Sequence, residues 1–239
     1  MNEEGASTRA GERSLRSMEA AAFRQLAAAL AHALNNPLFV LLTDIELLLL
    51  DVDDEAVSER LREMQGHGLV LRTTIRKLGE LAREPLLPEE LDLGEAVGVA
   101  VARWRETSQS DELHLEERYV LPDVTVRFTP RQLERIVEEL LENARQAVPH
   151  GGSVRVEVAR DGDDAVLSVV DTGPGIADRV RLAVFEPFFT TRPVESNLGL
   201  GLTVARVFAA LHGAELTVAG SEGEGARLEL RMPTIARTT

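Results

Sequence analysis

Cysteine is absent from this chain of 239 residues, so a disulfide framework and a thiolate metal site are excluded. Aromatic residues are scarce, at 4%. Lysine occurs only at Lys77, so arginine carries nearly all of the positive charge. The formal net charge is −14. Because this excess of carboxylates repels phosphate, the composition argues against general nucleic-acid binding.

Long apolar runs are missing as well. The run from Ile45 to Leu50 is already broken by Glu46, and no uninterrupted run reaches the roughly 20 residues that span a bilayer. The segment Met1–Gly11 is polar and lacks the basic and apolar regions of a secretion signal. We therefore expect no membrane insertion by this chain and a cytoplasmic location.

The first part of the chain has the pattern of a helical hairpin. Residues 1–12 are small, polar and aperiodic, which predicts a disordered tail. Over residues 13–84, apolar residues recur at steps of three and four on both sides of an acidic break at residues 51–54. Such a hairpin cannot bury its apolar stripe alone, so we expect a homodimer in which two hairpins form a four-helix bundle.

The second part of the chain mixes helices and strands. Pro85 and Pro88 indicate a linker over residues 85–90, and residues 91–235 follow as a second domain. Alternating apolar residues around the turn at residues 161–163 predict an antiparallel sheet with helices on one face. The predicted fold class is α+β, a helical hairpin followed by an α/β sandwich.

The five histidines differ in their surroundings. His32 lies in a helical, apolar stretch with a proline five residues downstream, where a helix is expected to kink. This context fits either a chemical site or a helix break with a surface histidine. His212 ends a predicted helix before a glycine, which is typical of a C-terminal cap. His67, His114 and His150 lie in polar contexts, and we expect them to be solvated.

Two segments of the second domain combine polar and glycine residues at functional spacing. On a helix, Glu139 and Asn143 lie one turn apart, and their oxygens suit a hard cation such as Mg²⁺. Asp171 ends a strand and can accept a hydrogen bond from an amine, while Gly173 and Gly175 allow the backbone to approach a flat ring. Each segment alone also fits an ordinary acidic helix face or a turn.

A third segment and a loop complete the set. Gly199-Leu200-Gly201-Leu202 opens a predicted helix, whose unpaired N–H groups suit phosphate. The preceding loop, residues 185–192, contains three aromatic residues, two threonines and Arg192. This composition suits a lid over a nucleotide, with Arg192 placed to meet a terminal phosphate.

In this order and spacing, the segments resemble the ATP-binding domain of two-component sensor histidine kinases, within the wider GHKL ATPase superfamily. The segments that match the boxes of the family are Asn143 (N box), residues 171–175 (G1 box), residues 185–189 (F box), and Gly199 with Gly201 (G2 box). Residues 31–38, Ala-His-Ala-Leu-Asn-Asn-Pro-Leu, resemble the H box of the dimerisation and phosphotransfer domain.

The resemblance implies roles for individual residues. His32 would take the γ-phosphoryl group of ATP and pass it to an aspartate on the receiver domain of a response regulator. Asn143 would bind Mg²⁺, with Glu139 as a second, tentative ligand, and Asp171 would read the adenine amine. The other residues implied in nucleotide binding are Gly173, Gly175, Phe189, Thr191, Arg192, Gly199, Leu200 and Gly201.

Two positions depart from the family pattern. Ala33 stands where the family usually has an acidic residue that assists proton removal, whereas Asn36 keeps the polar side chain that the family uses in dephosphorylating the receiver. Glu139 stands where many histidine kinases have a second asparagine, and it resembles the catalytic base of other GHKL branches. The main hypothesis is therefore an ATP-dependent histidine kinase. The alternatives are a GHKL ATPase or serine/threonine kinase with Glu139 as base, and a phosphotransfer or scaffold protein with weak kinase activity.

Overall fold

The computed structural model describes residues 3–83, 86–108, 113–119, 124–148, 151–191, 199–220 and 223–235. The chain divides into two compact units. The hairpin unit comprises Ala22–Glu84 and Glu186–Leu200, and the sheet unit comprises Pro85–Phe185 and Gly201–Thr239 together with Met1–Ala21.

Two long helices form the hairpin, α1 over Glu3–Asp51 and α2 over Glu55–Arg83. The carboxylate of Asp54 precedes α2, where its Oδ1 accepts hydrogen bonds from two amides of the first turn, at 2.9 and 3.2 Å. The helices pack through a row of buried side chains, namely Ala31, Leu38, Leu42 and Ile75. A Cβ at Gly68 would lie 2.6 Å from Cδ2 of Leu42, so this glycine lets the two helices approach closely.

The start of α1 differs from the sequence prediction. The helix begins at Glu3, whereas the sequence predicts a disordered tail over residues 1–12. Alanine, glutamate and arginine make up most of this segment, and all three favour helix. Once the downstream helix exists, each added residue extends it without the cost of a new nucleus.

One stretch of α1 also changes the expectation about membranes. Arg24–Asp51 is long and apolar enough to cross a bilayer by length and composition alone. This stretch contains no long uninterrupted apolar run, because polar residues such as His32, Asn35 and Asn36 divide it. Core helices of soluble proteins pass the same test, and 11% of the most apolar window is buried within this single chain.

The sheet unit contains a five-stranded sheet in the order β2-β4-β5-β7-β6 and a separate antiparallel pair, β1 with β3. The strands are β1 Glu89–Asp92, β2 His114–Tyr119, β3 Thr125–Phe128, β4 Ser153–Asp161, β5 Asp164–Asp171, β6 Glu215–Val218 and β7 Arg227–Pro233. The helices are α3 Leu93–Thr107, α4 Pro130–Ala147 and α5 Gly201–Leu211, with short 3₁₀ turns at Asp178–Val180 and Ala183–Phe185.

The sheet is mixed, so the predicted antiparallel sheet needs correction. Strand β2 pairs with β4 in parallel, whereas the other neighbours in the sheet are antiparallel. The reason lies in the connection, because β3 and α4 separate β2 from β4 and return the chain in the same direction.

The boundary of the second domain also shifts. Strand β1 begins at Glu89, so the last two residues of the predicted linker at residues 85–90 belong to the folded domain. The sequence Glu-Glu-Leu-Asp has no apolar alternation of its own. Its pairing with β3 across the chain, with Glu89 opposite Phe128, makes it a strand.

The core of the sheet unit lies between α4, α5 and the sheet. Leu140, Leu141 and Ala144 of α4 are at most 1% exposed, so they form the inner face of this helix. On α5, Val204, Ala205 and Phe208 are buried as well. Each large side chain buried in this way contributes about 1.5–3 kcal/mol. This packing fixes the position of α4 relative to α5.

Candidate functional site

The carboxylate of Asp171 lies at the end of β5 and is 3% exposed. Its Oδ1 accepts hydrogen bonds from the amides of Gly173, at 2.8 Å, and Ala226, at 3.1 Å. The amide of Asp171 donates to the carbonyl of Ala226, at 2.9 Å. Hydrogen bonds to an ionised acceptor are roughly twice as strong as those between neutral groups. The orientation of this carboxyl group is therefore determined by the backbone on both sides.

Glycines make this arrangement possible. A Cβ at Gly173 would lie 2.8 Å from the carbonyl oxygen of Ala147, at the end of α4. Gly225 has φ +88, and a Cβ there would collide with the carbonyl oxygen of Asp171. Sequence reasoning missed Gly225, although the Gly-Glu-Gly repeat before the last strand was a usable signal. Gly225 and Ala226 thus form the second wall around Asp171.

Glu139 and Asn143 share one face of α4, as predicted, with Asn143 partly exposed and Glu139 8% exposed. The Glu139 carboxylate pairs with Nη2 of Arg135 at 2.7 Å. A Cβ at Gly201 would lie 2.5 Å from Oε2 of Glu139, so the first residue of α5 approaches this carboxylate. The positive end of the α5 dipole favours a negative charge at this position. The structure therefore brings Glu139 and Gly201 together.

A metal site built from protein carboxylates or histidines alone is not present in the described part of the chain. No group of three or more such side chains suited to a metal ion occurs there. A cation at Asn143 would therefore need oxygen ligands from a bound phosphate or from water, which is the usual coordination of Mg²⁺ in phosphoryl-transfer sites.

The start of the loop at residues 185–192 is held against α5. Phe185 is buried, and its carbonyl accepts a hydrogen bond from Oγ1 of Thr203 at 3.1 Å. The guanidinium of Arg206 lies 5.1 Å from the centre of the Phe185 ring. These contacts hold the end of the second 3₁₀ turn against the helix that Gly201 begins.

Within the hairpin unit, the backbone of Phe188 and Phe189 lies against Gly199. The amide of Phe188 donates to the carbonyl of Gly199 at 3.0 Å. Gly199 has φ +65, and a Cβ there would collide with the carbonyl of Phe189. Thr191 is exposed and Leu200 is buried, whereas Arg192 lies outside the described residues.

The predicted nucleotide-binding residues are thus divided between the two units. Asp171, Gly173, Gly175 and Gly201 belong to the sheet unit with Asn143, and Gly175 has the positive φ, 78°, that glycine permits. The others that the structure describes belong to the hairpin unit, namely Phe189, Thr191, Gly199 and Leu200.

His32 is exposed on α1, and Asn36 is exposed one turn further on. Ala28 and Ala29 on the preceding turn are also exposed, so only methyl groups surround the imidazole on that side. Ala33 is exposed and offers no proton acceptor. The imidazole is therefore accessible from solvent.

His212 has a different place from the predicted one. Its ring stacks on Phe128, with centroids 3.9 Å apart and planes at 29°, and its Nε2 lies 2.9 Å from Oε1 of the fully buried Gln132. Burial lowers the pKa of His212 to about 4. The prediction of a simple cap is incomplete, because the side chain of this residue joins the end of α5 to the start of α4.

Comparison with known proteins identifies the sheet unit. Residues 128–235 match the family described as histidine kinase-, DNA gyrase B- and HSP90-like ATPases. The sensor protein kinase PilS of Pseudomonas aeruginosa is 33% identical over 195 residues, which are 78% of this chain and 36% of PilS. The chain spans less than half the length of the curated relatives that it matches.

Solved structures show the same fold. A mycobacterial sensor histidine kinase, MprB, is 28% identical with a TM-score of 0.55, and the match covers 63% of this chain and all of that one. Histidine kinase ThkA, in a complex with the response regulator protein TrrA, is 20% identical with a TM-score of 0.64 and covers 94% of this chain and 66% of its own. The predicted α+β fold and the predicted resemblance of the chain to sensor histidine kinases are therefore confirmed.

Proposed function

We propose that this chain phosphorylates His32 with ATP and passes the phosphoryl group to an aspartate on a response regulator. The observation that carries the proposal is an exposed histidine on a helical hairpin, followed in the same chain by a domain of the histidine-kinase ATPase family. PilS is named a sensor protein kinase, and DivJ of Caulobacter vibrioides is named a histidine protein kinase. ThkA, which has a similar fold, was solved together with a response regulator.

ATP binding is assigned to Asp171, to the glycines at the start of α5 and to Asn143. Asp171 would accept a hydrogen bond from the adenine amine, since backbone amides already orient its carboxylate. Gly199 and Gly201 flank the start of α5, where N–H groups suit phosphate. Asn143 would hold Mg²⁺ together with phosphate oxygens, and the ion would neutralise charge on the triphosphate.

His32 would act as the nucleophile. Neutral imidazole is competent near pH 7, because the ordinary pKa of histidine lies close to that value. One ring nitrogen forms a bond to the γ-phosphorus as the bond to the ADP oxygen breaks. The proton on the other nitrogen then passes to water, because Ala33 supplies no carboxylate to accept it. Since general-base help is typically worth 10²–10⁴-fold, we expect slow autophosphorylation.

Transfer of label from γ-labelled ATP tests this function. We expect acid-labile label on the wild type, its loss in His32→Gln, and its retention in the matched control His67→Gln on α2. Acid-stable label, or label undiminished in His32→Gln, would contradict the assignment and favour a serine/threonine kinase. Hydrolysis of ATP without label on the protein, abolished in Glu139→Gln, would favour the GHKL ATPase alternative.

The hairpin is proposed to dimerise rather than to enter a membrane. Four of its exposed leucines fall at helical spacing on one side of α1, namely Leu30, Leu34, Leu41 and Leu48. The helix also carries Asp44 and Glu46, and a charge at the centre of a bilayer is costly. Pairing of two such stripes into a four-helix bundle would cover the leucines and leave Asp44 and Glu46 outside a bilayer. A cytoplasmic location follows from this proposal.

A further inference from the structure

A cleft of about 600 Å³ opens between α1 and α2. Two of its lining residues, Ala31 and Ile75, belong to the buried row that joins the helices. Asn35, Arg72 and Arg76 line it with exposed polar side chains. The cleft therefore combines an apolar contact between helices with two guanidinium groups, one turn apart on α2.

Asn35, which lines the cleft, connects it to the helix face that carries His32. His32 and Asn35 are three residues apart on α1, so their side chains are neighbours on one helix face. At 100° per residue, four exposed leucines of α1 fall on the opposite side of the row formed by Ala31 and Leu38, namely Leu30, Leu34, Leu41 and Leu48. The proposed dimer face and the cleft therefore occupy different sides, and pairing through the leucines leaves the cleft accessible.

Carboxylates are absent from the two stretches of sequence that supply the lining residues of this cleft. No Asp or Glu occurs between Glu19 and Asp44 on α1, or between Glu63 and Glu80 on α2. The same two stretches contain four permanent cations, namely Arg24, Arg72, Arg76 and Lys77. In a chain with a net charge of −14, this local excess of cations favours an anion next to His32.

Arg72 differs in its contacts from Arg62, another arginine of α2. Arg62, ten residues earlier on the same helix, pairs with Glu55 at 3.1 Å. Arg72 forms no ion pair with any side chain that the structure describes. A guanidinium that lines a cleft without a carboxylate partner can turn its N–H donors toward a ligand.

We propose that Arg72, with Asn35 and Arg76 beside it, binds the phosphoryl group that His32 carries. This site rests on the proposed function, since phosphorylation of His32 supplies the ligand. The planar guanidinium presents its donors in a fork that matches phosphoryl oxygens. Binding there compensates the negative charge that transfer brings to the hairpin, at a position where no carboxylate follows the histidine.

The test uses phosphoramidate, a chemical phosphoryl donor for histidine that does not involve the ATPase domain. The full chain, labelled with ¹⁵N-arginine, is followed by NMR before and after phosphorylation. We expect the Nε–H resonance of Arg72, identified by its absence in Arg72→Lys, to shift on phosphorylation. The shift should vanish in His32→Gln, and the Arg62 resonance should not move.

A second measurement keeps the proposal falsifiable if arginine resonances overlap. A cation beside the phosphoryl group lowers the pKa of the phosphorylated imidazole, which the ³¹P chemical shift follows. We expect Arg72→Gln to raise this pKa by about half to one unit, Arg72→Lys to lie between, and Arg62→Gln to match the wild type. Because Arg72 is exposed, these substitutions leave the packed row between the helices intact.

The outcomes separate this site from the proposed function. An unmoved Arg72 resonance on phosphorylated protein, or an equal pKa in the wild type and Arg72→Gln, would overturn the site. Equal effects of Arg62→Gln and Arg72→Gln would also overturn it, since the effect would then come from general charge. If phosphoramidate gives the expected shifts but ATP never labels His32, the site stands and the kinase assignment fails.

Discussion

The two units of this chain bury their leucines to different extents. In the sheet unit, Leu140 and Leu230 are 0% exposed, whereas Leu34 and Leu41 in the hairpin unit are 45% and 59% exposed. Contiguous exposed apolar side chains mark an interaction surface in a soluble protein. The sheet unit thus has a core of its own, while the leucine stripe of the hairpin is left uncovered within this single chain.

The functional groups of the two units differ in the same way. Asp171 is buried and held by two backbone amides, whereas His32 is exposed among alanines. A group that recognises a ligand gains from being fixed in advance, because no ordering is then needed at binding. A phosphoacceptor has to meet both a donor and a receiver, so its exposure suits the proposed role.

The largest expected effect concerns the exposed leucines of the hairpin. Leu41→Glu places a charge in the proposed dimer core, and we expect the dimer dissociation constant to rise by more than about 100-fold, since an unpaired buried charge costs several kcal/mol. Sedimentation equilibrium measures this change. Leu182→Glu, at a leucine of the sheet unit that is 78% exposed, is the matched control and should leave association unchanged. A dimer of normal affinity in Leu41→Glu would refute the proposed face.

The converse substitution tests the sheet unit. Leu140→Ala should lower its free energy of unfolding by about 2–5 kcal/mol, because the packed core leaves a cavity. Leu34→Ala, at an exposed leucine, should cost the monomer less than about 1 kcal/mol. Denaturant titration, at a protein concentration too low for dimers to form, measures the free energy of unfolding of both variants. Similar losses in the two variants would mean that the units do not differ in packing.

Asp171→Asn tests the buried carboxylate of the proposed nucleotide site. We expect ATP affinity to fall by about 10- to 100-fold, because the amide replaces an oxygen acceptor and weakens charge-assisted bonds. Thermal shift against ATP and Mg²⁺ provides the measurement. Asp163→Asn, at an exposed aspartate of the β4–β5 turn, should bind ATP as the wild type does. Unchanged affinity in Asp171→Asn would remove this residue from the site.

The smallest effect concerns His212. Its folded-state pKa of about 4 lies below its ordinary value of 6.5, so the unfolded chain binds a proton first as the pH falls. Its contribution is present above pH 6.5 and is lost between pH 6.5 and about 4, by up to about 2 kcal/mol after allowance for partial exposure. Unfolding of the wild type and His212→Gln across this range measures it. An equal pH dependence in both proteins would contradict the assignment, and His67→Gln is the control.

Long elements with a clear period could be predicted from the sequence. The alternation of apolar residues around the turn at residues 161–163 predicted antiparallel strands, and β4 and β5 pair in this way. Strand β1 could not be found in this way, since four residues without alternation become a strand only by pairing with β3. The parallel pairing of β2 with β4 also depends on contacts between segments far apart in the chain.

The candidate site divides along the same line. The motif residues Glu139, Asn143, Asp171 and Gly201 were identified from their types and spacing. The roles of Gly225 and Ala226 escaped, because their contact with Asp171 joins positions 55 residues apart, as the hydrogen bond from Ala226 records. Arg135 was missed for a related reason, since an arginine on a helix has several possible carboxylate partners before side-chain packing selects Glu139.

The sequence by itself determined the α+β class and the order of the motifs. These follow from local periodicity and residue chemistry, which need no knowledge of distant contacts. Only the tertiary structure decided that backbone amides hold Asp171, that His212 packs on Phe128, and that Arg72 lines a cleft with Asn35. Each of these depends on which chain segments meet, and that outcome is set by packing of the whole unit rather than by any single stretch.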